Sequence, residues 1–171
     1  MIKTFGSLII IGSGLTGGRL MGSQYTQRTR ELQEFNTALH MLETEIDVLT
    51  ILPQAIEHLA MISPSPHKEF FESFIQQLQF SEGLTTQQAW EATIEEMKDS
   101  FCLKEEDWGV LKQFGRALGG SGDKDQIRHL QVAQQRLERL ELEAKEEGEK
   151  MSRLWNYVGI LTGIALVILL Y

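Results

Sequence analysis

From Leu154 to Tyr171 the chain carries no charged side chain, and this run constrains the fold more than any other feature. Its eighteen residues, wound as helix at about 1.5 Å per residue, extend roughly 27 Å, close to the hydrocarbon thickness of about 30 Å. Trp155 and Tyr157 stand at one end and Tyr171 at the other, where amphipathic rings settle at the headgroup level. The expected structure is a membrane-spanning helix over residues 154–171. At the amino end Thr4 to Gly18 is also free of charge but covers only fifteen residues. A second span, assigned to residues 1–23, therefore requires Lys3 and Arg19 to reach toward opposite interfaces.

A cleaved signal peptide competes for that amino-terminal run, since a short basic start followed by an apolar stretch fits both. The distribution of positive charge favours the span. Arg19, Arg28 and Arg30 follow the first apolar run, and Lys145, Lys150 and Arg153 precede the last. Both ends thus place their basic excess on the side of residues 24–153, which puts that domain in the cytoplasm. Gly14, Gly18 and Gly22 recur every four residues and would give the first span a smooth face for close helix packing.

The same glycine-rich segment contains Gly12, Gly14 and Gly17 after the apolar stretch Leu8 to Ile11, which matches a dinucleotide-binding fingerprint. Such a site needs a second strand ending in an acidic residue about twenty positions later. A helical repeat follows instead, so a nucleotide-binding oxidoreductase is a distant alternative. The net charge of −8 opposes nucleic-acid binding, which requires a clustered basic face. The single cysteine, Cys102, cannot form an internal disulfide and fits a reducing compartment.

Between the expected spans the pattern is helical. Leu32, Phe35, Leu39, Leu42, Ile46 and Leu49 recur at spacings of three and four, predicting a helix from Thr26 to Leu52 that Pro53 ends or kinks. A short helix bearing Ile56, Leu59 and Ala60 precedes a turn at Ser63-Pro64-Ser65-Pro66. Phe70, Phe71, Phe74 and Leu78 mark the next helix, and Thr85 with Gln88 forms a capping box for one carrying Ala89, Trp90, Ile94 and Met97. The aromatic residues read as core packing rather than a ligand surface. A fifth helix, about Lys104 to Leu118, opens with Glu105, Glu106 and Asp107 and stops at Gly119-Gly120. From Asp123 a long helix with Ile127, Leu130, Leu137, Leu140 and Ala144 runs on into the last span. The expected architecture is all-α: a six-helix antiparallel bundle flanked by transmembrane helices at both ends.

No catalytic or metal-binding constellation emerges. The histidines at 40, 58, 67 and 129 lack metal spacing, and neither a nucleophile elbow nor a P-loop is present. Glu43, Glu45 and Asp47 read as a solvated helix face. A non-enzymatic protein with no cofactor is expected.

Several segments together resemble the stage III sporulation protein AB family over essentially the whole chain. They are Arg28-Thr29-Arg30-Glu31-Leu32 leading into Ala38 to Ile46, Phe70-Phe71-Glu72, Ala89-Trp90-Glu91, and Phe114 to Gly119 with Asp123 and Gln126 beyond. The Gly119-Gly120-Ser121-Gly122 stretch is richer in glycine than that pattern. The resemblance implies a membrane component of the sporulation channel between mother cell and forespore, with its soluble domain in the mother-cell cytoplasm. Because the family's domain is similar to the platform proteins of type II secretion and type IV pilus machines, it further implies a scaffold coupling a secretion-type ATPase to the membrane complex. Expected partners are that ATPase, other channel subunits and the lipid bilayer, with homo-oligomers possible and nucleic acid excluded. Arg28, Arg30, Asp123, Gln126 and Arg128 are the expected contact residues, since they lie in the matching segments and are read as falling off the apolar stripes. A self-associating membrane-tethered adaptor is the alternative.

Overall fold

The computed structural model describes residues 24–45, 52–80, 83–118 and 123–170. Every regular element among them is helical. The order is α1 over residues 24–45, α2 Leu52–Ile62, α3 His67–Phe80, α4 Thr86–Met97, a short 3-10 turn Lys98–Ser100, α5 Glu105–Ala117 and α6 Asp123–Leu170. The expected first span and Gly14, Gly18 and Gly22 lie outside the described residues, as do Ile46, Asp47 and Leu49. Two compact units are present, one of residues 30–141 and one joining residues 1–29 to residues 142–171.

The apolar spacing of α1 is realised as a buried stripe: Leu32, Phe35, Leu39 and Leu42 are each at most 1 % exposed. Pro53 sits at the second position of α2, where a first-turn residue needs no amide donor and proline's fixed φ suits the site; the end of the preceding helix lies outside the described residues. The turn after α2 is closed by Ser63 N–H donating to the Leu59 carbonyl and Lys68 N–H to the Pro64 carbonyl. At α4 the capping box forms as predicted. Gln88 N–H donates to Thr85 Oγ1 at 3.2 Å, and Thr85 N–H donates to Gln88 Oε1 at 2.9 Å. At α5 the Lys104 N–H donates to Asp107 Oδ2 at 2.8 Å, so a wholly buried carboxylate satisfies an orphan donor at the positive end of the helix.

The core of the 30–141 unit is aromatic. Phe35 meets Phe70 edge-on at 5.3 Å, Phe70 meets Trp90 at 5.2 Å, and Phe101 meets Trp108 at 5.4 Å. Edge-to-face pairs of this kind contribute about 0.5–1.5 kcal/mol each beyond area burial. The buried indole is also satisfied, since Trp90 Nε1 donates to the Leu111 carbonyl at 2.8 Å. Phe70, Phe71, Phe74 and Trp90 are all buried, in keeping with a packing role.

Helix α6 continues without interruption for 48 residues, from Asp123 through the charge-free run to Leu170. Among the described residues no helix is long and apolar enough to cross a membrane. Within the expected carboxy-terminal span, six side chains between Asn156 and Leu170, and the whole of Tyr171, lie outside the described residues.

Candidate functional site

The apolar stripes of α1 and α6 each end in a charged residue. Arg28 stands four positions before Leu32, and Glu147 three positions after Ala144, so each continues its helix's buried face. The two meet: Arg28 Nη1 lies 3.1 Å from Glu147 Oε2, with the Arg28 side chain 4 % exposed and that of Glu147 37 %. Beside them a Cβ at Gly148 would sit 3.4 Å from the Tyr25 Cβ, an ordinary van der Waals distance. A buried guanidinium is costly unless paired. Arg28, expected as contact surface, is therefore an internal tie between α1 and α6 within the unit formed by residues 1–29 and 142–171.

Within the 30–141 unit, Glu31 is a second polar residue on the buried side of α1. It precedes Phe35 by four positions and is 3 % exposed. Its carboxylate accepts from the Cys102 backbone N–H at 2.7 Å, and its own carbonyl lies 3.0 Å from His67 Nε2. One α1 residue thus fixes both the start of α3 and the loop before α5. The His67 ring packs edge-on against Phe35 at 4.5 Å and Phe101 at 5.1 Å. Burial pushes its pKa down to about 4, only partly opposed by the hydrogen bond to the Glu31 carbonyl, so the ring is neutral at neutral pH and donates from Nε2. The Cys102 thiol is pushed up by burial and then by the Glu31 carboxylate, which keeps it protonated and unreactive.

Glu43 and Glu45 stay half-exposed, as the expected solvated face requires, but each also makes a tertiary contact. Gln131 Nε2 and Gln134 Nε2 donate to the two Glu43 oxygens at 2.8 and 2.9 Å, tying α1 to α6. These hydrogen bonds, Gln131 first, hold the carboxyl below its ordinary range despite some desolvation. Glu45 lies 3.0 Å from His58 Nδ1 on α2. On the surface, Glu95 bridges Lys112 and Lys98 at 2.7 Å each, which lowers its pKa to about 2. At that exposure solvent screening leaves the bridge little weight.

Of the other expected contact residues, Arg30 and Arg128 are exposed on α1 and α6, while the side chains of Asp123 and Gln126 lie outside the described residues. A shallow cleft of about 20 Å³ lies between α5 and α6, lined by Val110, Phe114, Val132 and Ala133 with His129 and Arg136; residue spacing had not pointed to it. Among the described residues no cluster of three or more His, Cys, Asp or Glu is arranged to hold a metal ion.

These features define an all-helical bundle in which buried polar groups tie its first and last helices to the core. The stage III sporulation protein AB family model matches residues 3–171, and the chain belongs to that family. It is 31 % identical to stage III sporulation protein AB of Bacillus subtilis (strain 168) over 171 residues, covering 99 % of each chain. A solved structure of stage III sporulation protein AB (SpoIIIAB) superposes with a TM-score of 0.67 at 30 % identity, covering 72 % of this chain and 97 % of that one.

Proposed function

We propose that this chain is a non-enzymatic membrane platform of the sporulation channel between mother cell and forespore, coupling a cytoplasmic secretion-type ATPase to the membrane complex. Residues 1–23 and 154–171 are its membrane helices, and residues 24–153 face the mother-cell cytoplasm. The observation that carries this reading is the continuity of α6. The same helix that supplies core residues Leu130 and Leu137 continues into the charge-free run, where Leu161, Ile164 and Ile168 are 66, 50 and 71 % exposed. Exposed apolar side chains on successive turns of a helix call for lipid or another apolar surface.

The Arg28–Glu147 pair supports a mechanical role. It fastens α1 to α6 beside both expected membrane segments, so a load on the helical domain reaches the bilayer through two joined helices.

Co-purification tests the coupling. Full-length tagged protein, extracted in mild detergent from membranes of sporulating cells, is expected to bring the secretion-type ATPase with it. Recovery of other channel subunits with the ATPase reproducibly absent overturns the coupling role.

A further inference from the structure

We infer that the cleft between α5 and α6 is a docking site for a short helical segment of a partner protein that presents one carboxylate and one aliphatic side chain about a turn apart. The cleft has an apolar bed and a basic rim. Phe114 and Ala133 are buried at its floor while Val132 stays 40 % exposed, and His129 and Arg136 lie seven positions apart on the α6 side, two helical turns along one face. Among the described residues no carboxylate lines it.

The pairing of Arg136 marks it out. In a chain with 24 acidic against 16 basic residues, cations commonly find a carboxylate: Lys68 pairs with Glu72, Lys112 with Glu95, Arg116 with Glu91, Lys150 with Glu146 and Arg153 with Glu149. Arg136 instead donates through Nη1 to the neutral amide oxygen of Gln113 across the cleft. That contact aligns a guanidinium without neutralising it, and an incoming carboxylate takes the amide's place with a charge-assisted, fork-matched bond. Arg128, exposed one position before His129, adds positive potential at the same end of α6.

The dimensions select the occupant. At about 20 Å³ the cleft is far below the roughly 300–1,000 Å³ of a small-molecule site, yet it accepts the tip of one aliphatic side chain from a helix laid along it. Arg136 is itself exposed, so an isolated anion there competes with solvent for little gain, and the apolar bed specifies a protein segment.

A photo-crosslinking residue at position 132 of the full-length protein, expressed in sporulating cells, tests this. The expected result is an adduct whose cross-linked peptide carries Asp or Glu within four residues of the captured apolar position. Capture should fall at least tenfold with Arg136→Glu and only a few-fold with Arg136→Lys, at unchanged helical content and membrane level. Adducts confined to lipid or to other copies of this chain, capture insensitive to Arg136→Glu, or no adduct at all each overturn the inference. It rests on the platform reading only in requiring a protein partner. Capture insensitive to Arg136→Glu together with intact ATPase co-purification refutes the cleft and leaves the platform standing.

Discussion

The indole of Trp90 lies directly against Gly115: a Cβ there would come within 2.8 Å of Trp90 Cγ and 2.9 Å of Nε1. The indole cannot retreat easily, because Nε1 is bonded to the Leu111 carbonyl and the ring is flanked by Phe70, Phe74 and Phe114. Gly115 therefore serves close packing of α5 against α4, and its φ is not in the left-handed region.

Gly115→Ala should accordingly destabilise the protein by about 2 kcal/mol, since overpacking of a filled core costs about 1–3 kcal/mol and outweighs the helix propensity that alanine gains. Gly109→Ala on the same helix, where a Cβ meets nothing within 4 Å, should be neutral or stabilising by up to about 1 kcal/mol. Thermal unfolding of the two full-length variants in detergent, read side by side, checks the contrast.

His67 predicts a pH dependence with a definite sign. Its folded pKa, about 4, lies below the ordinary value of 6.5, so the unfolded chain binds the proton more readily. The stabilisation is complete above about pH 6.5 and is lost as pH falls through 6.5 toward 4, amounting to roughly 2 kcal/mol by pH 5 at about 1.36 kcal/mol per unit. Glu43, whose pKa is lowered from 4.5, adds its own loss only below that value. His67→Phe should lower stability at pH 7 but flatten the profile between pH 6.5 and 5, as followed by thermal unfolding across that range.

Arg28→Met should cost about 1–3 kcal/mol, because it removes a buried hydrogen-bonded charge and leaves Glu147 without that partner. Glu147→Gln should cost less in packing, being 37 % exposed, yet it removes the negative charge from this contact with the guanidinium. The reversed pair Arg28→Glu with Glu147→Arg should recover part of the loss. A double-mutant cycle on unfolding temperature, paired with spore yield, measures the coupling.

Leu161→Arg places a charge near the middle of the expected span, at a cost of about 2.5–3.5 kcal/mol for insertion. The fraction of protein resisting alkaline extraction from membranes should fall. Val132→Arg, equally apolar-to-charged but on the helical domain, should leave it unchanged.

Much of the fold was legible in the sequence because helical periodicity and local capping depend on neighbours in the chain. The Leu32 to Leu42 stripe, the Thr85–Gln88 box and the acidic opening of α5 are of this kind. The polar ties were not, since Glu43 with Gln131 and Glu31 with Cys102 are set by tertiary packing across 88 and 71 positions. Arg28 shows where a further signal was available: its spacing of four from Leu32 places it on the buried stripe, and a charge there requires an opposite partner. Pro53 followed the rule that proline suits a helix's first turn as readily as it ends one.

The most direct measurement of the membrane platform is the accessibility of the helical domain in intact cells. In a Cys102→Ser background, Met61→Cys introduces a thiol where the native side chain is 80 % exposed. An impermeant maleimide should label it only after the membrane is opened. Labelling at full rate in intact cells would place the domain outside and contradict the proposed role.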